Sequence, residues 1–454
     1  MNSFKRSSKN NQLIVCLALF FSSLIPLKAL AQLDVEHYIP PVFGRENKGT
    51  HYVVLSTPNS IPFPVTITDG SGTVLATPTI SSATSFSYYL GAGDATQFLV
   101  TEAELNTVMT NEGLILTAAE PFYVNMRVFE SAQAGSLTSK GSQAAFGKDF
   151  WAGNMYNSNG YITGKSNSFG IMATENNTTV NISSINLGVI FRGTTPSGTP
   201  LTSPNATIVL NAGESYVIAA FVNEAGATNN VNGTNGTHIT SDKDIVVNCA
   251  TWLGGNAITG TSPTGTPGTG RDIGIDQIVP VETVGDEYVL IKGEGIDNER
   301  SIIIATQANT DIFLDGNATA VTTLTNAGDF YTIEGTAFSA NENLFLTSSA
   351  PVYVYQTTNG GNGITYDNER QSGLNFLPPV GCSGGKSVVL PDVDAIGTAF
   401  INIIADAGAI IYVNGFLQGS GDAITGTSNY VTYKLTSGFT GDVTITSDKL
   451  LRVA

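Results

Sequence analysis

The side chains able to do chemistry are few and far apart. His37, His51 and His238 are the only histidines, and His51 and His238 lack a local partner of a catalytic kind, so they read as structural. One GxSxG string occurs, Gly381-Cys382-Ser383-Gly384-Gly385. A nucleophile elbow requires a strand before the serine and a helix after it. Here Pro378-Pro379 precede the string, the apolar run Val388-Val389-Leu390 follows, and no histidine lies beyond, so it reads as a Gly-rich turn. The phosphate-cradling GxxxxGKS/T and GxGxxG loops are missing. With no CxxC and no Cys/His cluster, a zinc site lacks ligands. No catalytic residue, cofactor-binding residue or metal ligand can be named, and a non-enzyme is expected.

Three acidic–basic clusters remain: Arg45-Glu46-Asn47, Asp297-Asn298-Glu299-Arg300 and Asp367-Asn368-Glu369-Arg370. The tetrad suggests a ligand or calcium motif, yet its copies are 70 residues apart, out of step with the repeat described below. Solvated loop charge is the expected role. No spaced Asp-x-Asp-x-Asp set occurs, so calcium stays open only as a ligand of acidic loops, with no identifiable site. Trp151 and Trp252 are either core plugs or a stacking platform, and the place of Trp252 directly after a strand favours the core. Cys16 falls in the leader, which leaves Cys249 and Cys382 as one cross-domain disulfide or as two buried free thiols.

The elements that must hold these residues belong to a 454-residue chain, enough for about three domains at ~150 residues each. Charged residues are 13%, well under the ~25% usual in globular proteins, while Thr, Val, Ile, Asn and Gly dominate. That balance favours strands and turns over helices. Lys5, Arg6 and Lys9, the apolar run Leu13 to Leu24, and Ala29-Leu30-Ala31 form a secretory signal peptide over residues 1–31. Its removal leaves 16 Lys and Arg against 37 Asp and Glu, a net charge of −21. A nucleic-acid partner is disfavoured. No later stretch is long and apolar enough for a transmembrane helix, so an extracellular or cell-surface protein is expected.

Self-similarity is the strongest signal. A closing segment recurs from Leu116 to Val124, Ile239 to Val247, Leu346 to Val354 and Ile445 to Val453, with threonines at 117, 240, 347 and 446. An opening segment recurs as Tyr38-Ile39-Pro40-Pro41, Gln277-Ile278-Val279-Pro280 and Phe376-Leu377-Pro378-Pro379. Pro280 and Pro379, Asp315-Gly316 and Asn414-Gly415, and Tyr331 and Tyr430 all share an offset of 99. Asn211-Ala212-Gly213-Glu214 likewise returns as Asn326-Ala327-Gly328-Asp329.

Short apolar runs ended by turn pairs predict an all-β fold of tandem β-sandwich-like repeats of about 100 residues. A β-propeller with two blades per repeat is the runner-up. The expected organisation is repeat 1 over 32–135, repeat 2 over 136–259, a Gly/Thr/Pro linker over 260–270, repeat 3 over 271–360 and repeat 4 over 361–454. One helical stretch is expected, Thr101 to Val108, with Thr101 and Glu104 in capping-box spacing.

Tyr38-Ile39-Pro40-Pro41, Ile239-Thr240-Ser241-Asp242-Lys243 and Leu377-Pro378-Pro379 resemble the IgGFc-binding protein N-terminal domain family, from about residue 36 onward. The resemblance is to versions in exported surface proteins of Bacteroidetes-type bacteria. It implies a cell-surface or secreted adhesion module with a protein or glycan ligand. No family site residue matches, so Fc binding is not carried over. The chain stops at Val453-Ala454 inside the fourth closing segment, which reads as truncation before a sorting domain. A structural stalk and a glycan-active enzyme are the competing readings. Binding is expected in the variable loops Gly193–Pro204, Gly226–Thr237 and Gly254–Gly270.

Overall fold

The computed structural model describes residues 32–453 except 95, 131–132, 158–163, 184–185, 187, 193–205, 223–227, 255–271, 294–298, 359–372, 382–383, 394–400 and 437–438. Strands take 61% of the chain, and the fold is all-β. Unit 1 comprises β1 (Asp34–Ile39), β2 (Val42–Phe43), β3 (Thr50–Ser56), β4 (Phe63–Asp69), β5 (Val74–Ala76), β6 (Thr79–Ile80), β7 (Phe86–Ala92), β8 (Leu99–Val100), β9 (Leu114–Glu130) and β10 (Gln133–Thr138). Unit 2 comprises β11 (Gly147–Ala152), β12 (Ser166–Ala173), β13 (Thr178–Ser183), β14 (Ala206–Leu210), β15 (Ser215–Phe221), β16 (Thr237–Gly254) and β17 (Asp272–Ile278). Unit 3 holds β18 (Gly285–Ile291), β19 (Arg300–Ala305), β20 (Thr310–Leu314), β21 (Thr322–Leu324), β22 (Phe330–Glu334), β23 (Asn343–Thr358) and β24 (Gly373–Phe376). Unit 4 holds β25 (Gly385–Val393), β26 (Ile401–Asp406), β27 (Ile411–Val413), β28 (Phe416–Leu417), β29 (Asp422–Ile424), β30 (Thr427–Leu435) and β31 (Gly441–Val453).

One long strand is the spine of each unit: β9, β16, β23 or β31. Its first half pairs with the unit's opening strand on one side and with β4, β13, β20 or β27 on the other. Its second half pairs with β3, β12, β19 or β26. Because partners change along the spine, the sheet of each unit curls around its core. The strand order is the same in units 3 and 4, β21-β20-β23-β19-β22 matching β28-β27-β31-β26-β30.

The recurrent closing segment is where the spine passes from one set of partners to the other. Thr117, Thr240, Thr347 and Thr446 face Glu36, Asp149, Glu287 and Ser387. The next pairs are Asp34 with Phe122, Gly147 with Ile245, Gly285 with Val352 and Gly385 with Leu451. In every unit the opening strand advances two residues while the spine advances five, a wide bulge that bends the ladder. Pro121 and Pro351 sit in this bulge, where an absent N–H costs no ladder bond. Thr57, Thr174 and Thr306 each donate Oγ1 to the carbonyl of the bulge's last residue, Pro121, Asp244 or Pro351, at 2.8, 2.7 and 2.6 Å.

The predicted turns form as their chemistry requires. Asp315-Gly316 and Asn414-Gly415 have positive φ at both positions, the geometry of a tight hairpin. In the other repeated pair, the N–H of Asn211 donates to Glu214 Oε2 at 2.7 Å, and that of Asn326 to Asp329 Oδ2 at 2.8 Å. Gly213, at φ 80°, abuts unit 1: a Cβ there would lie 2.0 Å from the Gly70 carbonyl oxygen.

Three expectations differ from the structure. β17, expected to open repeat 3, pairs along β16 and closes unit 2, and β24 closes unit 3 in the same way. Segment 260–270 lies outside the described residues, but its flanks β16 and β17 are antiparallel neighbours in one sheet. The two flanks therefore belong to one unit rather than to two. The helix expected from Thr101 to Val108 is a single 3-10 turn, Glu102–Glu104, with Thr101 N and Oγ1 both donating to Glu104 Oε2 at 2.7 Å. Leu105 and Met109 then pack on Phe43 and on Val217, Ala219 and Phe221 of unit 2, and this packing overrides a weak local helix signal.

Successive units share cores. Trp252, Leu253, Ile273 and Ile275 of unit 2 join Leu55, Val124 and Val128 of unit 1. Tyr353, Tyr355, Leu374 and Phe376 of unit 3 join Phe150, Phe169 and Cys249 of unit 2. Units 3 and 4 meet at Val289, Phe345, Val380 and Ile424.

Candidate binding surfaces

The residues with chemical potential are consumed by the fold. His37 is fully buried, bonded to Ser139 Oγ at 3.0 Å and the Phe122 carbonyl at 3.0 Å, and burial pulls its imidazole down to about 4. His51 is buried against Thr96 Oγ1 at 2.7 Å and the Lys48 carbonyl at 2.8 Å. His238 stacks on Trp151 at 3.9 Å between ring centroids and bonds Asp149 Oδ1 at 2.7 Å. Its partner is 89 positions away, which no local motif could reveal.

Trp252 has no exposed surface, and its Nε1 donates to the Glu46 carbonyl at 2.6 Å. Both tryptophans are core residues. The expectation of solvated charge fails at Glu299 and Arg300, which are buried. Glu299 accepts from Gly293 N at 2.7 Å; Arg300 bonds Glu334 at 3.0 Å and lies over the Tyr156 ring. Asp297, Asn298 and the copy at 367–370 lie outside the described residues. So does Ser383, while Gly381 is in a turn and Gly385 begins β25.

The loop expected over Gly226–Thr237 is largely core. From residue 228 onward it is described, and Asn230, Thr234, Asn235 and Thr237 are buried. Asn230 Nδ2 donates to the Ile190 and Phe221 carbonyls at 2.8 Å, and its Oδ1 accepts from Ile190 N at 2.8 Å. Asn235 Oδ1 accepts from Asn154 N at 2.7 Å. The loops at 193–204 and 255–270 lie outside the described residues.

Cys249 is a buried free thiol on β16, and burial pushes it up to about 12. Cys382 lies outside the described residues. A thiol so desolvated is a poor nucleophile. Cys249 is expected to stay silent to a thiol reagent in native buffer and to react on denaturation, and a fast native reaction at this residue would contradict the packing.

Two features face outward. At the outer edge of each unit an apolar side chain is exposed: Val74 on β5, Val209 on β14, Val321 just before β21 and Leu417 on β28. Unit 4 carries most of this character. Its Asn414-Gly415 hairpin pairs Tyr412 with Leu417 and Val413 with Phe416, and Phe416 is 75% exposed. The second feature is a cavity of about 530 Å³ bounded by all four units. Among the described residues no group of three His, Cys, Asp or Glu is placed to hold a metal, and no helix is long and apolar enough to cross a membrane.

Four fused, spine-based β-units define a repeat β-protein. The profile of the family described as IgGFc binding protein matches residues 134–453, well over half of the chain, and the protein belongs to that family, one of binding modules. The match starts in β10. Similar solved structures include "Biofilm associated protein - BSP domain", with 10% identity over 93% of this chain and 95% of that one, at a TM-score of 0.16. Another is glycoside hydrolase family 32 from Bifidobacterium adolescentis, with 9% identity over 92% and 98% of the two chains and a TM-score of 0.15. A search of curated proteins returns no match.

Proposed function

We propose that the protein is an exported adhesion or recognition module that holds a protein ligand through the outer edges of its repeats. Family membership supports binding, and the observation that carries the reading is the exposed apolar residue at the same edge in every unit, with Phe416 and Leu417 foremost. An aromatic–aliphatic pair on a rigid hairpin has the character of an interface anchor. Edges repeated along one body allow weak contacts to add through multivalency. The titratable and sulfur-bearing groups described above serve packing, which fits a binder rather than an enzyme.

The test is binding of the purified protein to immunoglobulin Fc, mucus glycoproteins and whole cells, with a Phe416→Asp, Leu417→Asp variant alongside. Both sites are exposed, so stability is expected to change by no more than ~0.5 kcal/mol. Binding is expected to fall at least tenfold, or ~1.4 kcal/mol. Undiminished binding by a folded variant would reject the hairpin, and turnover of a polysaccharide by the wild type would reject the non-enzyme reading.

A further inference from the structure

Residues 105–113 of unit 1 lie along unit 2 as a clasp. β15 ends the strand order of its sheet, and the clasp takes its outer edge. Asn106 N donates to the Val217 carbonyl, Met109 N to the Ser215 carbonyl and Ser215 N to the Met109 carbonyl, each at 2.9 Å. Beneath these bonds, Leu105 and Met109 pack with Val217, Ala219 and Phe221.

The clasp carries Glu112 into a tight seam between the units. A Cβ on Gly70 would lie 2.4 Å from the Gly213 carbonyl oxygen and 2.7 Å from that of Glu112. Glu112 is 9% exposed, and its carbonyl accepts from Ser215 Oγ of β15 at 3.2 Å. Asn111 Nδ2 donates to its Oε1 at 3.2 Å, while its Oε2 is buried without a hydrogen-bond partner. The charged groups that act on this carboxyl are both acidic: Glu104 from the 3-10 turn and Asp69 from the end of β4. Glu102 of the same turn is engaged by Arg192 at 2.7 Å, and Glu214, next to Ser215, accepts from Asn211 N at 2.7 Å. Burial first, then the charges of Glu104 and Asp69, raise Glu112 from an ordinary 4.5 to about 7.

We propose that Glu112 makes the clasp a pH-operated contact between units 1 and 2, closed on β15 while the carboxyl is neutral and released when it ionises. A buried carboxylate with an unpaired oxygen costs far more than the neutral acid in the same place, and release returns the charge to water. A carboxyl raised in the closed form supports that form fully below its ordinary value and loses this support as pH climbs through the raised value. The released population therefore grows between pH 4.5 and about 7 and levels off above. Release is local, because the core that Trp252 shares with Leu55 and Val128 keeps the two units joined. This inference is independent of the ligand held at the outer edges.

The test is hydrogen exchange of the full chain, read by mass spectrometry at pH 5 and pH 8 and corrected for the intrinsic pH dependence of exchange. Peptides covering 105–113 and 215–217 are expected to exchange at least tenfold faster at pH 8 after correction, while those from β26 of unit 4 keep their protection. Glu112→Gln is expected to abolish the difference, since its side chain does not titrate. Glu104→Gln removes one facing charge and is expected to give a smaller rise that levels off at lower pH. Equal protection of the wild-type clasp at both pH values, or an undiminished pH dependence in Glu112→Gln, would overturn the proposal. So would loss of protection in all four units together, which is global unfolding rather than release of a clasp. Should Glu112→Gln fail to fold, Glu104→Gln decides, and an unchanged rise in that variant counts against the proposal.

Discussion

Replacement of Trp252 by alanine is expected to lower folding stability by about 3–5 kcal/mol, the cost of emptying a large aromatic site in a core. The indole has no exposed surface, packs among Leu55, Val128 and Ile275, and donates to the Glu46 carbonyl. Gly44 leaves room for the ring: a Cβ there would lie 2.3 Å from it. The cavity would open between units 1 and 2, so denaturant unfolding should shift for both units together. A loss under ~1 kcal/mol would show that the junction collapses around the gap and that Trp252 is not its keystone.

Lys140→Ala is expected to cost about 3–5 kcal/mol near pH 8, because it strands a buried carboxylate. Burial raises the Asp276 carboxyl, and Lys140 pulls it back down. A carboxyl raised in the folded state contributes most when protonated, below its unfolded value, and loses that contribution as pH climbs through the folded value. Without Lys140 the folded value rises further, so the penalty grows from pH 5 to pH 8. Asp276→Asn in the same background keeps a side-chain acceptor for Phe376 N and should remove that pH dependence. Chemical denaturation at the two pH values decides it, and a penalty equal at both would refute a charged Asp276.

The repeat was legible because its markers are backbone devices. The threonine that precedes each bulge and the Asp-Gly and Asn-Gly turn pairs depend on local geometry, so they recur in the sequence. Unit boundaries were less legible. Gln277-Ile278-Val279-Pro280 looks like Tyr38-Ile39-Pro40-Pro41, yet the first ends a seventh strand and the second ends an opening strand, and only pairing partners tell them apart. The burial of Asn230, Asn235, Glu299 and Arg300 was hidden for a related reason: their polarity reads as solvent exposure until distant partners such as Ile190, Asn154 and Glu334 are in place. Thr57, Thr174 and Thr306 were missed outright, although each stands just past the strand that pairs with its spine's second half, a signal available once the spines are aligned.

The shared cores also bear on mechanics. A surface protein joined by flexible tethers gives way under tension one bead at a time, each extension dissipating part of the pull. Here Trp252 of one unit is an interior residue of its neighbour, and Tyr355 of the third unit donates its hydroxyl to the Trp151 carbonyl of the second at 2.8 Å. Shear at any junction therefore strips two interiors at once. Pulling unit 2 away from either neighbour therefore meets one cooperative barrier rather than a succession of small ones.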